Sequence, residues 1–243
     1  MKKHVLFLLF TAVFMYNLSA QEFQFSFGTD FGIGRFKVNN DFVDSGFLWN
    51  EESDTFFSGP GLSFMVRWFT DTSSAVSTGF VFRDRVMMIT NAEITRTLSR
   101  GGFRQRINET YSIVDDDSLI MSIMDFGIGP SFRIKLSQRW SLYTDYGLNF
   151  TIMEFEDIDE GDTLNYWGAG IFSTIAMQVN LRRTLFLEFG LHSSINVLSS
   201  QKGEIYYNHR LSSKYEDTGR WDLPMITMYL HIGWRFDFVI LRN

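Results

Sequence analysis

WSLYTDYGLNFTI, residues 140–152, decides the fold. Its large apolar side chains fall on every second position: Trp140, Leu142, Tyr146, Leu148, Phe150 and Ile152, with only Thr144 interrupting. The intervening positions are Ser141, Tyr143, Asp145, Gly147, Asn149 and Thr151. Successive side chains of a β-strand point to opposite faces, so this stretch is a strand with one apolar and one polar face. The same period recurs in Phe23–Ile33, Leu62–Trp68, Val76–Arg83, Met124–Leu136, Gly168–Leu181, Leu185–Val197 and Ile226–Phe238. That makes eight strands.

The connections alternate in length. Thr70–Ser74, Ser137–Arg139 and Arg182–Thr184 are tight turns. The other four connections are long: Val38–Phe56, Thr90–Asp117, Glu154–Thr163 and Leu198–Asp222. Short turns at one end and long loops at the other predict antiparallel strands in up-and-down order. Thr90–Asp117 is too polar on both faces to add two membrane strands, because Arg104, Gln105, Arg106 and Glu109 occupy its alternating positions. It reads instead as a polar hairpin turning at Ser99–Gly102.

The two faces say which way the sheet closes. A soluble barrel buries its apolar face, whereas a membrane barrel turns that face to lipid and packs small and charged residues inside. Here the polar face is rich in Gly and Ser and carries charges of both signs. Arg67, Arg83, Arg133, Lys135 and Arg235 stand against Asp30, Asp125, Asp145, Glu188 and Asp237. Such charges pair inside a narrow barrel. Trp68, Phe69, Trp140, Trp234, Phe236 and Phe238 gather near the tight turns, as an interfacial aromatic girdle does. The predicted fold is all-β: an eight-stranded antiparallel up-and-down transmembrane β-barrel after a cleaved signal peptide. Composition agrees. The 243 residues are 45% hydrophobic and 17% aromatic, with 26 Phe and no Cys. Beyond the N-terminus no run reaches the roughly 18 apolar residues of a membrane helix. The absence of cysteine removes disulfide scaffolds, zinc–thiolate sites and cysteine nucleophiles.

Residues 1–20 read as the signal: Lys2 and Lys3 precede an apolar run from Val5 to Tyr16, and Leu18-Ser19-Ala20 offers a small residue at the cleavage position. Residues 21–243 then form the barrel. Losing Lys2 and Lys3 leaves 20 basic and 28 acidic residues, 20 − 28 = −8, a sign that argues against a nucleic-acid partner. An even strand count puts both termini in the periplasm of the cell outer membrane.

The signal, the two-faced strands and the four loops resemble the small eight-stranded outer-membrane β-barrel superfamily, which includes the opacity-type adhesins and the OmpA membrane domain. His231-Ile232-Gly233-Trp234-Arg235-Phe236-Asp237-Phe238 is similar to that family's assembly signal, with Gly233, Phe236 and Phe238 at its defining positions. The resemblance implies outer-membrane lipid and the barrel assembly machinery as partners.

Functional candidates are few. Eight strands enclose only enough room for side chains, which argues against bulk pore activity. The leading expectation is a non-enzymatic barrel that displays loops for adhesion, or for contact with an extracellular protein or glycan, or that has a structural role. Trp49 in loop one and Arg96, Arg100, Arg104 and Arg106 in loop two are the candidate contacts. An interior polar network of Arg67, Arg83, Asp125, Arg133, Asp145, Glu188 and Arg235 would brace the scaffold. One alternative is a narrow channel for small or apolar solutes, with glycines 127, 129, 147, 168, 170 and 190 leaving the gap. Another follows from His192-x-Ser194, which is similar to the His-x-Ser pair of the outer-membrane lipid A deacylases, where His is the base and Ser the nucleophile. The following Ile195-Asn196 departs from the Asn-Ala-Gly of those enzymes. Asp157, Asp159 and Asp162 in acidic loop three offer oxygen ligands for a divalent cation, although the spacing is not that of a complete calcium loop. No cofactor is expected.

Overall fold

The computed structural model describes residues 21–44, 47–70, 74–100, 103–112, 119–157, 162–207 and 210–238. These form ten strands: β1 (Gln21–Asp44), β2 (Phe47–Phe69), β3 (Val76–Met88), β4 (Asn91–Arg100), β5 (Phe103–Ser112), β6 (Leu119–Lys135), β7 (Trp140–Asp157), β8 (Asp162–Asn180), β9 (Leu185–Tyr207) and β10 (Arg210–Phe238). Eight of them close a ring in the order β1-β2-β3-β6-β7-β8-β9-β10 and back to β1. Every pairing is antiparallel. β4 and β5 lie outside the ring as the polar hairpin expected between the third and fourth barrel strands, pairing from Asn91↔Ser112 to Arg100↔Phe103.

The faces fall as the alternation requires. Leu62, Leu148 and Ile171 point outward with more than 60% of their surface exposed, and Phe27, Phe126, Ile175, Leu191 and Met228 join them. On β10 the outward apolar residues run from Ile226 to Phe236. At the rise of a tilted strand this stretch spans about 25 Å, the height of a membrane barrel's apolar band. Trp68, Trp140 and Trp234 sit at the end carrying the tight turns, called here the turn end. Three side chains there depart from expectation. Phe69 is buried in the interior beside Tyr143 and under Arg133, so it is no part of the girdle. Lys135 and Asp237 are exposed at the rim, where the strands run out into the turns, and so do not belong to the interior charge set.

The four long connections are mostly not loops. β1 and β2 stay paired up to Asp44↔Phe47, β7 and β8 to Asp157↔Asp162, and β9 and β10 to Tyr207↔Arg210. The barrel strands therefore continue past the apolar band as paired hairpins. In sequence these extensions mix polar and apolar residues without a sustained alternation, so no apolar pattern marks them as strands. Partner choice changes at this hairpin end. The lower part of β2, Gly61–Phe69, pairs with β3, and the upper part, Asn50–Ser58, pairs with β4. The register shifts by one residue across Ile89–Thr90. Pro60 and Gly59 stand at that switch on β2. Proline has no N–H for the ladder, and a Cβ at Gly59 would stand 1.8 Å from the Met88 carbonyl oxygen. Glycine permits this close approach.

Candidate functional site

The barrel interior is built in three layers. Nearest the turn end, Arg67 of β2 reaches across to β7 and β9. It donates to Asp145 Oδ2 at 2.7 Å and to Glu188 Oε2 at 2.5 Å. Both carboxylates have further donors: Ser131 Oγ to Asp145 at 2.6 Å and the Tyr229 hydroxyl to Glu188 at 2.7 Å. The guanidinium also lies over the Tyr143 ring, 4.4 Å from its centroid. Arg133 donates to Glu22 at 2.5 Å, and Arg235 pairs with the same carboxylate at 3.1 Å. A charge taken out of water is tolerable only when paired and hydrogen-bonded, and a narrow ring of inward strands supplies partners from every side.

The middle layer is polar. Asp30 accepts from Ser63 at 2.6 Å and pairs with Arg83 at 3.3 Å. Arg85 binds Asp125 and Thr227. Thr151 donates to Asp125 at 2.6 Å, and the Asn149 amide to Asn196 Oδ1 at 3.1 Å. Above it, towards the hairpin end, the interior turns apolar and rich in methionine: Met87, Met121, Met153 and Met225 pack with Phe36, Phe57, Ile123, Tyr166 and Leu223. Phe36 meets Tyr166 edge-on, with ring centroids 5.0 Å apart.

Of the interior residues expected from the sequence, Arg67, Arg83, Asp125, Arg133, Asp145 and Glu188 are all inside and buried, while Arg235 is half-buried at the turn end. Arg85 and Glu22 complete the set. Arg85 escapes a reading by alternation because Asp84, between Phe82 and Val86 on the outward face, breaks the apolar pattern of that strand. Glu22 lies in phase with Gln24 and Ser26 but precedes the first apolar residue of its strand.

The glycine gap does not exist at the positions that can be checked. A Cβ at Gly127 or Gly147 would stand 3.0 or 2.7 Å from the Phe172 ring, and one at Gly190 would stand 2.8 Å from Tyr229. Aromatic rings occupy the space these three glycines leave, while Gly129 and Gly170 lie against the backbones of Tyr146 and Ile195. His192 and Ser194 share the inward face of β9, both buried, and do not hydrogen-bond to each other. His192 Nδ1 is 3.0 Å from Thr174 Oγ1, and its ring stacks on Phe172 at 5.5 Å. No carboxylate contacts this histidine among the described contacts. A second constellation, unforeseen from the sequence, gathers Ser63, His231 and Asp30. Ser63 Oγ is 2.5 Å from His231 Nε2, and Asp30 Oδ1 is 3.5 Å from the same nitrogen. A catalytic triad needs its carboxylate on the nitrogen opposite the nucleophile. Here serine and carboxylate crowd one nitrogen, and all three side chains are buried.

At the hairpin end the side chains of Trp49, Arg96, Arg100, Arg104 and Arg106 lie outside the described residues, although their backbones belong to β2, β4 and β5. Asp159 also lies outside them; Asp157 and Asp162 are placed opposite one another by the β7–β8 ladder, with side chains undescribed. No cluster of three or more metal-ligating residues occurs among the described residues. Just beyond the apolar band, Arg35 forms a two-pronged pair with Asp54, its Nε 2.7 Å from Oδ1, and lies over the Phe56 ring at 4.8 Å. The Arg35 hydrogen bonds hold the Asp54 carboxyl below its ordinary value.

A closed ring of eight antiparallel strands, apolar outside and ion-paired inside, defines a small barrel of the outer-membrane type. No protein-family model matches the chain, and no curated protein matches it. Among solved structures it is similar to Ail, the attachment invasion locus protein of Yersinia pestis (12% identity over 88% of this chain and 98% of Ail, TM-score 0.44). It is similar also to OprG from Pseudomonas aeruginosa (10% identity, 90% and 97% coverage, TM-score 0.47) and to the protease OmpT from Escherichia coli (6% identity, 90% and 97% coverage, TM-score 0.44). OprG and OmpT are outer-membrane proteins by name, and OmpT a protease. None of these likenesses bears on what this chain binds.

Proposed function

We propose that the protein is an outer-membrane display barrel, in which eight strands around a filled interior hold paired hairpins beyond the bilayer for adhesion or for contact with a protein or glycan. It has neither bulk pore activity nor a catalytic site in this reading. The turn end and both chain termini face the periplasm, and His231–Phe238 serves as the signal for the assembly machinery. The supporting observation is the filling of the interior. Arg67 spans the ring to two carboxylates, Phe172 and Tyr229 occupy the glycine faces, and an apolar cluster stops the upper end. What remains for recognition is the hairpin end. The β4–β5 hairpin carries Arg96, Arg100, Arg104 and Arg106 on a chain of net negative charge, an arrangement suited to acidic glycans.

The test replaces Thr95–Asn108 by a short turn. This cut spares Ala92, which is buried in the apolar cluster, and removes all four arginines. Cells displaying the intact barrel should retain heparin-coated beads, and cells displaying the trimmed barrel should not, while both proteins stay heat-modifiable on a gel. Equal retention by the trimmed barrel would sink the assignment to this hairpin. In planar bilayers the intact protein should show no steady openings.

A further inference from the structure

The barrel wall is not continuous along its whole height. The β1–β10 ladder runs from Gln21↔Phe238 to Gly34↔Met225 and stops there. Above it both strands continue, but β1 stays paired only with β2 and β10 only with β9 among the described residues. The cause is local. Pro224, the next residue up on β10, has no N–H to extend the ladder. At Gly34 a Cβ would stand 2.3 Å from the Phe57 ring and 2.9 Å from Met225 Cγ, so only glycine lets those side chains cross behind the seam.

A cavity of about 680 Å³ opens at this seam. Its lining comes from both faces of the wall. Ile33, Phe56, Ile195 and Ile226 belong to the outward apolar face and are about half exposed, whereas Phe57 and Met225 belong to the buried inner cluster. The outward part is continuous with the band that meets lipid, which identifies the neighbour available to fill it. Its size is that of a small-ligand site. One polar side chain at the cavity is unsatisfied: Ser194 is among the lining residues, is 1% exposed as a residue, and its hydroxyl has no hydrogen-bond partner among the described residues. A buried hydroxyl without a partner is costly, and an acceptor brought in by a ligand would relieve it.

We propose that the β1–β10 seam is a docking cleft for one acyl chain of a membrane lipid, with the ester carbonyl accepting a hydrogen bond from Ser194. The chain enters from the lipid side over Ile33 and Ile226. Its inner part rests on Phe57 and Met225, and methionine adapts readily to such a flexible apolar guest. The cleft touches the base of the β4–β5 hairpin at Asn91–Glu93 but lies outside the Thr95–Asn108 segment removed in the display test, so the two tests stay separate.

The test uses the full barrel in phosphatidylcholine vesicles doped with phosphatidylcholine carrying a photoactivatable diazirine on one acyl chain, followed by mass mapping of the labelled residues. Outward belt residues label all round the barrel. The proposal predicts in addition that inward Phe57 and Met225 label several-fold more than inward Ile123 and Met153 elsewhere in the same cluster. Ser193→Trp, which fills the mouth from the lipid side at an exposed position, should bring Phe57 and Met225 down to that background while the barrel remains heat-modifiable. Ser194→Ala should lower their labelling several-fold. Labelling confined to outward positions, or inward labelling that survives both substitutions, overturns the proposal.

Discussion

Arg67 shows what one side chain does in an interior of this width. Its guanidinium satisfies carboxylates from two other strands, so removing it leaves Asp145 and Glu188 buried with one donor each among the described contacts. Breaking a buried pair from one side costs about 3–5 kcal/mol. Arg67→Ala should therefore lose stability on that scale in urea unfolding of the lipid-embedded barrel. Arg67→Lys should lose less, since it keeps the charge but not the fork. Arg35 and Asp54, at the edge of solvent, behave differently. Because Asp54 titrates lower in the fold than in the unfolded chain, its pairing contributes above the ordinary carboxylate pKa and is lost as pH falls through the depressed folded value. Hydrogen exchange at the outer part of β1 and β2 should accelerate over that acid range. Asp54→Asn should exchange faster at neutral pH and show no such acid step.

Along a single strand, the cost of a charge depends on height more than on residue type. Leu148 lies at mid-strand on β7 with 68% of its surface exposed, and Phe56 lies where β2 leaves the apolar band. Leu148→Arg should cost about 2–4 kcal/mol and Phe56→Arg about 0–1 kcal/mol, measured by refolding into vesicles. The reverse order would overturn the lipid-facing assignment. Height also governs what alternation could disclose. Strands of the band were legible because bulky apolar and small polar residues contrast at every step. The extensions beyond it, such as Asp44↔Phe47 or Tyr207↔Arg210, look like loops in the sequence because water on the outside removes that contrast while leaving the pairing intact. Phe69 departs from the girdle for a related reason. An aromatic near a turn looks like girdle, but parity puts it in phase with Arg67 and inside. The methionine cluster depends on which strands face each other across the ring, and the Ser63–His231–Asp30 contact on the register that sets Ser63 and His231 on either side of Gly28; no single strand records either.

At the scale of the whole molecule, the first described strand pairs with the last, Gln21 opposite Phe238. The strand order is thus a cycle, and the place where the chain begins is an arbitrary cut in it. A circular permutant follows: Phe238 joined to Gln21 by a short linker, with new ends opened at the exposed Arg182–Thr184 turn. Every barrel ladder is retained, so this permutant should refold in detergent to a heat-modifiable barrel with unchanged β-sheet circular dichroism. In cells the same permutant carries Gly233, Phe236 and Phe238 in mid-chain. If the assembly machinery reads them only at a chain end, it should accumulate unfolded in the periplasm. Failure to refold in detergent would show that the seam above Gly34↔Met225 tolerates no added link at its base. Success there with failure in the cell would separate two kinds of information in one stretch of sequence: the physical closure of a ring, and a shipping label that works only on a free end.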